Sequence, residues 1–164
     1  MKTSSVFLRA IRGCVLLLLL GLGSAQASDL AIVRIFTGWR EASSFKRISE
    51  YFDGKENTGR DAVLRSHPAQ RAGYYFLVRV TNSGAPHTVT ARLQVITANG
   101  AQPRVFEFAP ALGSGDTVFH LGLTGPDWPD AKAHPVAWKL DLTGTDDKVL
   151  ATEKSYLWEK PTGK

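Results

Sequence analysis

The sequence has 164 residues, of which 43% are hydrophobic, 21% charged and 10% aromatic. This length suits one domain, and the composition excludes a disordered tail, a collagen-like rod and a small disulfide-rich scaffold. The formal net charge is +5, but a part of it belongs to the first 27 residues.

Residues 1–27 have the organisation of an export signal. The start of the chain carries positive charge and no acid, at Lys2, Arg9 and Arg12. The uncharged run Val15–Gly23 follows, and it is shorter than the roughly 20 residues of a membrane-spanning helix. Ala25 and Ala27 then place small residues at the positions that a signal peptidase reads. We therefore predict cleavage after Ala27 and a mature chain, residues 28–164, in the periplasm or outside the cell.

Removal of this signal changes the charge and the cysteine content. The chain loses three of its 20 Lys and Arg but none of its 15 Asp and Glu, so the net charge falls to +2. Nucleic-acid binding thereby loses its compositional argument. The single cysteine, Cys14, also leaves with the signal. We expect no disulfide, no thiolate chemistry, no cofactor, no nucleic-acid partner and no membrane span in the mature protein.

The first part of the mature chain, residues 28–71, has a mixed and less regular pattern. Leu30–Phe36 suits a strand, and Val63–Ser66 suits a shorter one. Between them we predict a short helix near residues 44–53, with a further strand as the alternative. Serine caps would begin that helix, and Gly54 would end it. Its apolar residues would share one face: Phe45, Ile48 and Phe52.

Residues 72–158 alternate between apolar and polar side chains, as strands with one buried face do. Tyr74–Val80 is apolar on both faces except at Arg79, which is typical of a central strand. Val89–Val95 and Val136–Leu142 each combine one apolar and one polar face. Turn sequences separate the alternating runs at 81–86, 99–100, 113–116, 125–130 and 143–147.

About seven short strands with regular turns predict an all-β fold, an antiparallel β-sandwich. In strand count and spacing, residues 72–158 resemble immunoglobulin-like and fibronectin type III-like domains. The cysteine pair of true immunoglobulin domains is absent, so this resemblance implies a fold and no particular function. A small β-barrel is the alternative. We expect residues 28–164 to form one domain, with a frayed tail at 159–164.

Patterns for catalysis and metal binding are weak, and we predict no catalytic residues, no metal site and no enzymatic activity. No chelating spacing such as H-x-x-x-H joins the four histidines, which are His67, His87, His120 and His134. Asp127 and Asp130 each follow a proline, which is a turn sequence. A hydrolase is the third hypothesis, and a concave pocket that gathers at least two of these five residues, the four histidines and Asp127, would favour it.

Two sets of residues are candidates for binding. The first would line one outer sheet face if the first two well-defined strands pair: Tyr75, Arg79, Arg92 and Gln94. Arg and Tyr are enriched at protein contacts. The second set is Trp39 and Trp128, whose rings would stack on a sugar or anchor a protein partner if they are exposed.

These candidates predict a non-enzymatic binding module that contacts another protein of the cell envelope, with a polysaccharide ligand as the second hypothesis. A solvated sheet face, or one covered by residues 40–66, is the alternative for the first set. For Trp128 the alternative is a lid over the end of the sandwich. The oligomeric state does not follow from the sequence.

Overall fold

The structure is a computed structural model that describes residues 29–159. The predicted export signal at 1–27, and the predicted frayed tail from residue 160 onward, lie outside these residues. Among the described residues, no helix combines the length and the apolar character needed to cross a membrane.

Within this range the chain forms ten strands and four short helical turns. The strands are β1 (Leu30–Arg40), β2 (Ala62–Arg65), β3 (Gly73–Asn82), β4 (His87–Thr88), β5 (Thr90–Thr97), β6 (Gly100–Phe108), β7 (Ala111–Leu112), β8 (Gly115–Thr124), β9 (Ala137–Thr143) and β10 (Val149–Lys154). The helical turns are α1 (Glu50–Asp53) and three 3-10 turns at Ala42–Phe45, Gly125–Asp127 and Tyr156–Glu159.

Eight of these strands build two sheets. The first sheet has the order β1-β3-β8-β2 and the second has the order β10-β9-β5-β6, while β4 and β7 form a separate pair. Neighbouring strands are antiparallel, except that β2 runs parallel to β8. The sheets do not close on themselves. The predicted all-β sandwich is therefore confirmed, and the barrel alternative is wrong.

The core lies between the two sheets, because successive side chains of a strand point to opposite faces. In the first sheet, Phe76 on β3 is paired with Leu121 on β8, and both side chains are fully buried. In the second sheet, Leu93 on β5 is paired with Leu140 on β9, and both are also fully buried. Each such side chain contributes roughly 1.5–3 kcal/mol relative to exposure. The predicted alternation of β5 and the central position of β3 are confirmed.

The helix predicted near residues 44–53 is not continuous. It is replaced by the 3-10 turn Ala42–Phe45 and by the single turn of α1, and neither has a side-chain cap. Lys46 adopts an extended conformation between the two turns and interrupts the helix. Gly54 ends α1 with φ +68°, as predicted, since glycine enters this left-handed region without strain.

The segment from residue 41 to residue 61, which we call the strap, crosses the outer face of the first sheet. It leaves β1 at one edge of the sheet and enters β2 at the opposite edge. β1 and β2 are both parallel to β8 through the pairing of the sheet, so their connection must be a long crossover. The strap is that crossover, and it covers outward-facing side chains of β3 and β8.

Candidate binding sites around the strap

Tyr75 lies beneath the strap and is buried. Its ring packs against Phe45 with 4.7 Å between the ring centroids. The hydroxyl donates a hydrogen bond to the Arg71 carbonyl at 2.7 Å and accepts one from Arg65 Nε at 2.9 Å. Burial raises the pKa of this hydroxyl. The Tyr75 ring fits here because residue 122 is a glycine: a Cβ at this position would lie 2.4 Å from the ring.

The predicted common face does not exist. Its residues lie on opposite sides of the sandwich: Tyr75 and Arg79 on the first sheet, and Arg92 and Gln94 on the second. Arg79 is exposed, and Arg92 pairs with Glu107 at 2.8 Å. Gln94 Nε2 donates to Asp141 at 3.4 Å. The prediction failed because the turn after β3 leads into the other sheet instead of closing a hairpin.

The two candidate tryptophans do not form an exposed platform. Trp128 is 3% exposed, packs on Tyr74 with 5.0 Å between centroids, and donates from Nε1 to the Ala133 carbonyl at 3.3 Å. Trp128 is therefore a lid over the end of the sandwich, which is the alternative to an exposed ligand-binding ring. Trp39 lies half-buried on β1 against the core, and its Nε1 donates to Glu41 at 2.8 Å.

A cluster of four charged side chains holds the strap to the first sheet. Arg65 Nη1 and Nη2 donate to the two carboxylate oxygens of Glu56 at 3.0 and 2.5 Å. Arg71 contacts Glu50 at 2.5 Å and Glu56 at 3.4 Å. The Arg65 side chain is only 6% exposed. Its hydrogen bond lowers the pKa of the Glu56 carboxyl.

Three exposed apolar side chains, which we call the apolar knob, lie on α1 and in the turn that leads into it. Ile48 is 78% exposed, Tyr51 76% and Phe52 86%. Positions i, i+3 and i+4 share one side of a helical turn. The prediction that Phe45 shares one face with Ile48 and Phe52 is wrong, because Phe45 packs inward on Tyr75 while the other two are exposed. Glu50 turns the other side of α1 inward to meet Arg71. Sequence reasoning missed Tyr51 and the knob for this reason.

A cavity of about 160 Å³ lies between the strap and the outer face of the first sheet. Side chains from both elements line it, among them Arg40, Ser44, Arg47, Thr58, Asp61 and His120. His120 is largely buried; its Nε2 lies 3.6 Å from an Asp61 oxygen, and its Nδ1 has no hydrogen-bond partner among the described residues. Burial lowers the pKa of His120, so the ring is neutral at pH 7.

We expect the protein to lose stability as the pH falls below about 6.5, and His120 to cause part of this loss. The folded state lowers the pKa of His120 from 6.5, so below that pH the unfolded chain binds the proton more readily. Asp61 opposes this shift, while Arg40 and Arg65 add to it, and Arg47 also lines the cavity. The unfolding midpoint between about pH 5 and 8 measures the effect.

The His120→Gln variant should show a flatter pH profile than the natural chain. His87→Gln is the matched control, since His87 contacts the Ala85 carbonyl near the surface and lies outside the strap cavity. Equal pH slopes for the two variants would show that burial of His120 has no influence on stability.

The convergence named for a hydrolase occurs, because one cavity gathers two of the five residues. His67 Nε2 lies 3.1 Å from Asp127, and Asp127 together with His134 lines a cavity of about 430 Å³. However, Asp127 also accepts from Arg104 at 2.6 Å, and Asp130 accepts from the Lys132 amide in a turn. Both carboxylates therefore make structural contacts.

The strap cavity contains a serine, a histidine and an aspartate, but they are not arranged as a catalytic triad. Ser44, His120 and Asp61 all line it, but no hydrogen bond joins Ser44 to His120. The nitrogen that faces Asp61 is Nε2, and Nδ1 is enclosed by protein. A catalytic histidine needs one nitrogen on the nucleophile and the other on its carboxylate. Within residues 29–159, no three His, Cys, Asp or Glu side chains are grouped as metal ligands.

No family model matches this sequence, and no curated protein matches it. One similar solved structure is an immunoglobulin-like protein from Pseudomonas aeruginosa. It is 16% identical, with 79% of this chain and 96% of that chain covered and a TM-score of 0.32. The class of fold, an all-β sandwich, therefore rests on the strand order and register described above.

Proposed function

We propose that the mature chain is an exported, non-enzymatic binding module that contacts a partner protein through the apolar knob. The observation that carries this proposal is the exposure of Ile48, Tyr51 and Phe52 on one side of a single helical turn. Large apolar side chains grouped on a surface mark interaction sites, and aromatic residues dominate the binding energy of protein contacts.

The anchoring of the strap supports a protein partner. The ion pairs of Glu50 and Glu56 with Arg71 and Arg65 hold the knob in place before binding, which reduces the entropy lost on association. A bilayer is the less favourable partner. Helices that bind membrane surfaces use long apolar faces, whereas α1 has four residues. A polysaccharide is not supported either, because the Trp128 ring is covered by the protein.

Export is the second part of this proposal, and the pattern of residues 1–27 supports it. Cleavage after Ala27 would leave the described fold complete, because β1 begins at Leu30. The intact mass of the protein recovered from a periplasmic or secreted fraction tests it. A mass that corresponds to residues 28–164 is expected, and an uncleaved chain in the cytoplasmic fraction would contradict it.

Substitution of the three knob residues by serine should abolish partner binding without loss of stability. Aromatic anchors at protein interfaces contribute about 2 kcal/mol or more each, so affinity should fall at least thirtyfold. Residues 28–164 would serve as bait for cross-linking in an envelope extract, and the captured protein would then be purified for titration. The matched control is Val105→Ser/Val149→Ser, which removes similarly exposed apolar side chains from the second sheet.

Two outcomes would overturn the assignment. If the captured protein binds the knob variant as tightly as the natural chain, the contact surface lies elsewhere. If the knob variant instead loses binding to anionic lipid vesicles while protein capture is unchanged, the knob is a membrane contact. Equal unfolding midpoints for the natural chain and the variant are required for either conclusion.

A further inference from the structure

The strap cavity carries positive charge that its own contacts do not neutralise. Arg40 and Arg47, which are both exposed to solvent, line it. Among the described residues, no carboxylate lies within ion-pair distance of Arg40, and Arg47 donates only to the Thr58 carbonyl at 3.3 Å. The two arginines and the single acidic residue, Asp61, give the lining a formal net charge of +1. Two like charges beside one small cavity repel each other, which an anion between them would relieve.

The cavity also offers hydrogen-bond donors that the protein leaves unused. Ser44 and Thr58 line it, and neither hydroxyl group has a hydrogen-bond partner among residues 29–159. Each hydroxyl supplies one donor, and an arginine supplies up to five in a planar fork. The charged donors of the two arginines therefore outnumber the charged acceptors, since the one carboxylate in the lining is that of Asp61.

The volume limits the ligand to a small molecule. A water molecule occupies about 30 Å³ of liquid, so 160 Å³ holds roughly five waters or an acid with a similar number of heavy atoms. The Asp61 carboxylate would repel a doubly charged anion such as sulfate. A planar carboxylate matches the guanidinium fork in geometry and carries a single charge.

We propose that the strap cavity is a binding site for a small carboxylate anion, held by Arg40 and Arg47 and by the hydroxyl groups of Ser44 and Thr58. This site is separate from the apolar knob, which lies on the outward side of the same strap. The proposal therefore does not depend on the partner protein.

Titration of residues 28–164 with sodium acetate, at constant ionic strength set by sodium chloride, tests the site by NMR. We expect saturable shifts of the backbone amides of Ser44, Thr58 and His120. The Arg40→Gln variant should bind acetate about tenfold more weakly or worse, because it loses charged hydrogen bonds. Arg60→Gln is the matched control, since it removes the same charge from an exposed position of the strap outside the cavity lining.

Acetate binding should tighten as the pH falls below about 6.5, because a proton on His120 then adds a positive charge to the lining. Sodium sulfate is the comparison anion. Tighter binding of sulfate than of acetate would replace the carboxylate assignment by a doubly charged anion. Shifts that do not saturate, or that are equal in Arg40→Gln and Arg60→Gln, would overturn the site. Arg47→Gln provides the second variant, and unchanged binding in both arginine variants would also overturn it.

Discussion

Arg65→Ala is expected to lower the free energy of unfolding by about 2–3 kcal/mol and to release the strap from the first sheet. Arg65 joins three groups: the carboxylate of Glu56, the hydroxyl of Tyr75 and the ring of Phe45. Its removal leaves the partly buried Glu56 carboxylate with only a weaker contact to Arg71 at 3.4 Å. Removal of one partner from a buried ion pair typically costs about 3–5 kcal/mol, and the partial exposure of Glu56 reduces this figure.

Urea denaturation measures the loss, and limited proteolysis shows whether residues 41–61 become accessible. Arg92→Ala is the matched control, because Arg92 makes a similar contact with Glu107 on the exposed face of the second sheet. Exposed ion pairs contribute about 0–1 kcal/mol. A loss in Arg65→Ala no larger than that in Arg92→Ala would mean that the charge cluster does not hold the strap.

Trp128→Ala is expected to destabilise the protein by about 3–5 kcal/mol, the usual result of deleting a buried aromatic side chain. The Trp128 ring closes the core beside Tyr74, and its indole N–H satisfies the Ala133 carbonyl. Trp128→Phe should lose less, because it keeps most of the buried apolar volume. Thermal and urea unfolding of both variants measure the difference.

Phe52→Ala is the matched control for the tryptophan, since Phe52 is 86% exposed and its truncation should leave stability within about 0.5 kcal/mol. A stable Trp128→Ala protein that has lost binding to an envelope polysaccharide would contradict the lid assignment. It would return Trp128 to the role of a ligand-binding residue.

The sandwich was predictable because alternation identifies a strand and its buried face together. The spacing of Phe119, Leu121 and Leu123 placed them inward and His120 outward, and the structure agrees. The parallel pairing of β2 was not predictable, because four residues of strand pattern do not indicate a neighbour or a direction.

The pairing of β3 with strands of its own sheet also could not be read from the sequence. A turn sequence shows that the chain changes direction, but it does not show whether the next strand pairs with the last or crosses to another sheet. This ambiguity placed Arg79 and Arg92 on one predicted face, although they lie on opposite sides of the sandwich.

The orientation of the strap was predicted wrongly because it depends on an ion pair. An amphipathic pattern is normally interpreted with its apolar side toward the core. Here Glu50 lies on the inward side of α1, because it forms an ion pair with Arg71 on the segment that leads into β3. The attraction depends on two residues about 20 positions apart, and no local pattern in the sequence reveals that they meet.

This arrangement separates the residues that maintain the fold from those that would recognise a ligand. In antibody variable domains, that separation comes from loops at one end of the sandwich. In this protein it comes from a crossover that lies along a sheet face and is fastened at both edges. The side chains at positions 48, 51 and 52 can therefore be exchanged with little effect on the core. The strap is a natural scaffold for a combinatorial library, in which new specificities would be selected on an unchanged frame.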